Sequence, residues 1–220
     1  TARRLLRKVV RIMAITYPLS LPTHTGISQI EFRTTNAVAY SRSPFTFAGQ
    51  AHAYAGQMWK VDVTLPPMKR SDAEQWVAWL VSLKGQVGLF YLGDPLALIP
   101  MGSARDADTI LVNGAVSSGN TIIIDGAPVN QTAYLKAGDF LQIGSGTSRQ
   151  MFKVLTSTDT DVSGGATVDV WPNVRTTIVN DSAVTVEAAQ GVFRLTTSEQ
   201  SWSVSNAAIY GISFSAMEAL

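Results

Sequence analysis

The residues that could carry chemistry are few. His24 and His52 are the only histidines, and neither has an Asp or Glu near it in sequence to orient it as a general base, so each is expected on a loop or surface. With no cysteine the chain has no thiolate nucleophile, no thiolate metal cage and no disulfide framework. A hydrolytic serine needs the sharp turn of Gly-x-Ser-x-Gly, and the nearest string, Gly114-Ala115-Val116-Ser117-Ser118-Gly119, has the wrong spacing. Gly144-Ser145-Gly146 opens like a dinucleotide-binding loop, but Arg149 fills the position of the third glycine, and strand patterns flank it where a helix is required.

Metal and acid chemistry fare no better. Asp159-Thr160-Asp161-Val162-Ser163-Gly164 supplies the opening oxygens and turn glycine of a calcium loop, yet the twelfth position, where a bidentate Glu belongs, is Val170, and no helical pattern flanks it. A solvated hairpin tip is the expectation there. Carboxylate pairs such as Asp106 with Asp108, or Glu31 with Asp62, occur in any β protein, and the separation of about 5 to 9.5 Å that glycoside cleavage requires is not written in a sequence. Asn130-Gln131-Thr132 and Asn180-Asp181-Ser182 match the glycosylation acceptor pattern and read as chance matches. No catalytic residues, no cofactor and no metal are expected, and the chain reads as a non-enzyme.

At 220 residues the chain can bury a core without staples. Hydrophobic residues make up 46% and charged residues 15%, well under the roughly 25% usual for a soluble domain. So low a charge fraction points to surface covered by partners. The 17 basic and 16 acidic residues nearly cancel, and five of the basic ones (Arg3, Arg4, Arg7, Lys8 and Arg11) fall in residues 1–12, leaving 12 against 16, or −4, for the rest. That balance argues against wrapping by nucleic acid. No apolar run approaches the roughly 18 to 20 residues that a spanning helix needs, so a soluble chain is expected. Residues 1–12 could form a short cationic amphipathic helix, with membrane or nucleic-acid contact and an organelle address as alternatives; the favoured reading is an upstream extension, the domain beginning at Met13.

The elements that would position any site are mostly strands. Ser28, Ile30 and Phe32 alternate with Gln29, Glu31 and Arg33, the period of a strand with one wet face. The clearest strand covers residues 57–65, with Trp59, Val61, Val63 and Leu65 on one face, stopped by Pro66 and Pro67. Between them, residues 43–50 form a strand or an extended arm. Ser71-Asp72-Ala73-Glu74 fits a capping box, and Trp76, Trp79, Leu80 and Leu83 fall at i, i+3, i+4 and i+7, predicting one helix of about 20 Å whose indoles pack in the core, with Lys84-Gly85 as its stop. A strand over 87–92 and a turn at Gly93-Asp94-Pro95 follow. After Pro100, short runs at 109–112, 121–124, 140–143, 151–155 and 167–170 alternate with Asn-Gly, Asp-Gly and Gly-rich turns, as in a small barrel or sandwich. Residues 191–195, 202–204 and 209–216 return to longer strands, and Tyr210, Ile212, Phe214 and Ala216 share a face. If the last strand joins the first sheet, the middle of the chain is an insertion. The expected fold is mainly β: a discontinuous β-sandwich from residues 13–100 and 189–220 with one amphipathic helix, plus an inserted small β-barrel or sandwich over 101–188, after a basic extension at 1–12.

The order of Ser41-Arg42-Ser43-Pro44-Phe45, the strand Trp59-Lys60-Val61-Asp62-Val63-Thr64-Leu65-Pro66-Pro67-Met68, the Trp helix and Gly93-Asp94-Pro95 resembles the distal tail (baseplate) proteins of long non-contractile-tailed bacteriophages. Leu135-Lys136-Ala137-Gly138-Asp139-Phe140-Leu141-Gln142-Ile143-Gly144 and Val170-Trp171-Pro172-Asn173-Val174-Arg175 resemble their inserted β domain, and residues 212–218 their closing strand; residues 1–12 have no counterpart. The resemblance implies a structural virion protein at the tail tip, assembled in the host cytoplasm. It implies a homo-oligomeric ring, commonly a hexamer, joining the tail tube protein to the hub protein and carrying peripheral fibre or adhesion proteins. No membrane partner is expected, and DNA is expected to pass through the ring without specific binding. Arg33, Arg42, Phe45 and Phe47 are the candidate interface residues, and Arg175 is a further candidate anchor; the three arginines read equally as ordinary surface charges. The alternative is a carbohydrate-binding module reading a host glycan through Tyr134, Phe140 and Trp171, against which Trp171 is weighed as packing at the bottom of the small β domain.

Overall fold

The alternation over 57–65 produces a strand whose Trp59, Val61, Val63 and Leu65 are all buried. The computed structural model describes residues 15–23 and 26–219; residues 1–12, Met13 and His24 lie outside the described residues. The fold is mainly β, in two antiparallel sheets with one α-helix among the described residues.

In chain order the strands are β1 (Gln29–Arg42), β2 (Gly49–Thr64), β3 (Met68–Lys69), β4 (Phe90–Leu92), β5 (Leu111–Val112), β6 (Thr121–Asp125), β7 (Phe140–Ile143), β8 (Gln150–Val154), β9 (Ala166–Trp171), β10 (Val184–Thr185), β11 (Gly191–Leu195), β12 (Trp202–Val204) and β13 (Ile209–Glu218). The first sheet runs β1-β2-β13-β11-β4, with β3 and β12 both paired to the start of β13. Its strands come from both ends of the described chain, and those of the second sheet, β10-β7-β8-β9-β6-β5, from the middle. The last strand does join the first sheet: Phe214 pairs with Val63 and Ala216 with Val61.

Helix α1 (Arg70–Ser82) buries Trp76, Trp79 and Leu80, and Leu83 beyond its end is buried too. Trp79 meets Phe90 at 5.0 Å and Phe214 at 5.6 Å between ring centroids, and its indole N–H donates to the Ser20 carbonyl at 2.9 Å. The expected capping box does not form. Because α1 leaves β3 without a gap, Lys69 is the N-cap and makes no side-chain cap bond; Ser71 is already in the first turn and donates to Asp72. Glu74 instead accepts from Arg70 and from the Tyr210 hydroxyl. At the far end Lys84 itself adopts a left-handed conformation, with φ of 51°.

The second sheet curls until its outer strands nearly meet. The Val112 N–H donates to the Ser182 carbonyl and the Val184 N–H to Ile110, both at 3.0 Å, so β5 and β10 leave little open edge. Its β7 and β8 are buried on both faces. Leu141, Ile143 and Phe152 fill the interior of the barrel, while Phe140 and Met151 on the opposite face join the core of the first sheet around Trp59.

Four of the acids hold loops in place. Asp106 accepts the N–H groups of Val186 and Glu187. Buried Asp139 accepts those of Met101, Gly102 and Lys136 at 2.7, 3.1 and 2.8 Å. Asp161 accepts from the Ser163 hydroxyl and from the N–H groups of Gly165 and Ser163, which hold its carboxyl below the usual range. Asp108 takes the Tyr134 hydroxyl at 2.8 Å.

Burial, reinforced by that bond to Asp108, raises the Tyr134 phenol above its ordinary value. A raised folded value means the contribution is complete below the unfolded pKa of about 10 and is lost as pH climbs past it. Urea titrations from pH 8 to 11.5 should therefore show the unsubstituted chain losing stability more steeply than Tyr134→Phe; identical slopes would contradict the burial.

Candidate assembly surface

The hairpin β1–β2 has two regimes. From Gln29↔Thr64 to Asn36↔Gln57 its register is regular, and Ile30 and Phe32 turn toward the core. Between Asn36 and Val38 the register slips, and from Val38↔Ala53 to Arg42↔Gly49 it continues as a two-stranded ribbon. The third strand, β13, reaches β2 only as far as Lys60. In residues 37–56 every residue except Ser43 is exposed.

The base of this arm is clamped. Trp59 donates its indole N–H to the Met151 carbonyl at 3.1 Å and meets Trp171 edge-on at 4.5 Å. The Trp171 indole in turn donates to the Asn36 side chain at 2.9 Å. The Gln57 side chain accepts the Asn173 N–H at 2.7 Å, and its carbonyl accepts from Arg175 at 2.9 Å. Arg175 also grips Glu218 with both terminal nitrogens, and Glu218 accepts the Trp59 N–H. The side chains of this ion pair are 14% and 4% exposed. Arg175 is thus an internal fastener, a correction to its expected place on an interface; its partner, 43 positions away, is invisible in local sequence.

The tip is a tight turn over residues 43–48. The Ser43 N–H donates to the Ala48 carbonyl and its hydroxyl oxygen accepts the Phe45 and Thr46 N–H groups. Arg42 donates to the Phe47 carbonyl at 3.1 Å and lies 4.7 Å from the Phe47 ring centroid. Phe45 is left 91% exposed. On the shaft, Tyr40 crosses Gly49, where a Cβ would overlap its hydroxyl.

Three of the four candidate interface residues, Arg42, Phe45 and Phe47, therefore meet at one tip. Arg33 does not. It sits about 30 Å back along β1, bonded to Glu31 at 2.9 Å and Asp62 at 2.7 Å, and the Glu31 hydrogen bond, with the nearby Asp62 charge, raises its already high pKa. The aromatics weighed for a glycan share no open face. Tyr134 is 1% and Phe140 6% exposed, and partly buried Trp171 bonds the arm base; its packing joins the two sheets and does not floor the barrel. His52 lies on the arm, edge-on to Tyr54.

Two further surfaces are apolar and open. Loop 93–103 exposes Leu96, Leu98, Ile99 and Met101 at 92%, 54%, 62% and 60%, and the β12–β13 hairpin exposes Trp202, Val204 and Ile209 at 40%, 53% and 44%. The run Leu96-Ala97-Leu98-Ile99-Pro100-Met101 is the sequence signal for the first. Among the described residues no helix is long and apolar enough to cross a membrane, and no cluster of three or more His, Asp or Glu is placed to hold a metal.

Breaking the clamp strands a buried charge. Arg175→Met should cost about 3–5 kcal/mol in chemical denaturation, and adding Glu218→Gln, which removes the stranded charge but keeps an acceptor for the Trp59 N–H, should recover part of it; a single variant within about 0.5 kcal/mol of the parent would refute the fastener role. No protein-family model and no curated protein matches the chain.

Proposed function

We propose that this chain is a structural component of a bacteriophage tail tip whose copies associate head to tail into a closed ring, of six as the family resemblance implies. The ring joins the tail tube to the hub, and peripheral fibre or adhesion proteins dock on it. In this reading residues 13–100 and 189–220 form the ring body, and the 101–188 barrel stands on it. No bond is made or broken.

The observation that carries the reading is the arm. An isolated two-stranded ribbon is marginal in water, and residues 37–56 form one, with Val38, Tyr40, Phe45, Phe47 and Tyr54 all more than half exposed. A ribbon of this composition gains stability only when something covers it. The arm and the other open apolar surfaces are different parts of the chain, so an arm that docks on one of them makes a heterologous contact, the type that forms a ring when its rotation closes. Among the described residues β1 also presents a 14-residue outer edge without a neighbouring strand, a template for pairing. Low charge on the arm fits as well: between Arg33 and Lys60 the only formal charge is Arg42.

Asn36 and Gln57 are register partners, so replacing residues 37–56 by Asn-Gly closes the hairpin with a two-residue turn. The parent should run as a multi-subunit species by light scattering and show rings by negative-stain microscopy. The shortened chain should keep its circular dichroism and melt within a few degrees, yet run as a monomer. A parent that is monomeric at every concentration, or a shortened chain that assembles equally well, would refute the proposal.

A further inference from the structure

We infer that the arm tip of one copy seats in the groove of loop 93–103 on the next copy, Phe45 entering between Leu96, Ile99 and Met101 while Arg42 meets Asp94. This inference rests on the ring reading and names the receiving site.

The tip presents one projecting phenyl ring beside one cation. The groove presents the complement: a cavity of about 260 Å³ bordered by apolar side chains of the loop and by Phe140, with Asp94 and Lys153 also on its wall. One Asp94 oxygen accepts the Leu96 N–H at 2.9 Å, and among the described residues Asp94 makes no ion pair. Lys153 is occupied, its ammonium 4.0 Å from the Phe140 ring centroid. The groove thus carries two carboxylates, Asp94 and the buried Asp139 whose oxygens are taken by backbone N–H groups, against one cation, Lys153, and Asp94 is opposite in sign to Arg42. Both partners are formed before contact: the tip is tied by the Arg42 and Ser43 bonds, and the end of the loop is pinned by Asp139, which accepts the Met101 and Gly102 N–H groups.

The rival seat lies beside β12. The cavity there, about 350 Å³, is walled mostly by Thr, Ser and Gln side chains with Asp62 and Glu199, its apolar lining residues Val63 and Phe214 being buried. A phenyl ring entering it would displace water from polar groups without pairing them, whereas in the loop 93–103 groove it removes apolar surface from water on both sides. Chemistry thus favours the loop.

Because the chain has no cysteine, single thiols report the contact cleanly. Phe45→Cys and Ile99→Cys replace exposed side chains, at 91% and 62%. Mixed as monomers, concentrated and treated with a short bis-thiol linker, the two variants should give a covalent dimer that neither gives alone. Arg42→Asp and Asp94→Arg should each raise the concentration for half-assembly by about tenfold or more, and the two variants mixed should assemble nearly as the parent does. If Phe45→Cys links instead to Ser201→Cys at the rival seat or to itself, or if neither charge change moves assembly while the parent still forms rings, the docking site is refuted and the ring reading survives. A parent that never assembles refutes both.

Discussion

The structure turns on the abrupt loss of strand neighbours along β2. Up to Lys60 the strand lies between β1 and β13. At Gln57–Trp59 it is fastened by Met151, Trp171, Asn173 and Arg175 of the second sheet and by Glu218 at the end of β13. Beyond that point, among the described residues, the ribbon has one partner per strand and both faces exposed. The fastening matters because a projecting arm can reach another molecule in one defined direction only if its root is rigid. Packing the barrel's Phe140 and Met151 into the first core supplies that rigidity and ties the two sheets into one support.

Charge is distributed to match. Arg33, Glu31 and Asp62 neutralise one another on the outer face of the first sheet, and Asp106, Asp139 and Asp161 accept the backbone N–H groups of the loops they anchor. The arm and loop 93–103 carry almost no charge. A protein meant to stand alone would place charges on such projections to stay soluble and to block edge pairing. Their absence here fits surfaces meant to be covered, and the same scarcity appears in the whole chain's composition.

How much the sequence reveals depends on whether a face is buried. Strand 59–65, the Trp76–Trp79 stripe and the alternation in 210–216 are legible because burial on one side imposes a period of 2 or 3.6. The arm is not, since with both sides wet nothing enforces alternation; residues 43–50 read equally as strand or extended arm, and the strand over 49–56 gives no periodic signal. The capping box misleads because Pro66-Pro67 is followed at once by β3, which carries the chain directly into α1 and uses Lys69 as the cap. β10, two residues long, lies below any sequence signal. At the candidate site, the tip residues Arg42, Phe45 and Phe47 are readable as a cluster, whereas Arg175, Trp171 and Phe140 find their roles only through partners far along the chain.

Amide hydrogen exchange across residues 37–56, followed as protein concentration rises, tests most directly whether the arm gains its cover from another copy. Cover by a second molecule predicts rapid exchange of these amides in dilute solution and protection that grows with concentration, alongside unchanged protection at 59–65. Exchange of the arm that stays rapid at every concentration, or protection already complete in the dilute monomer, would contradict it.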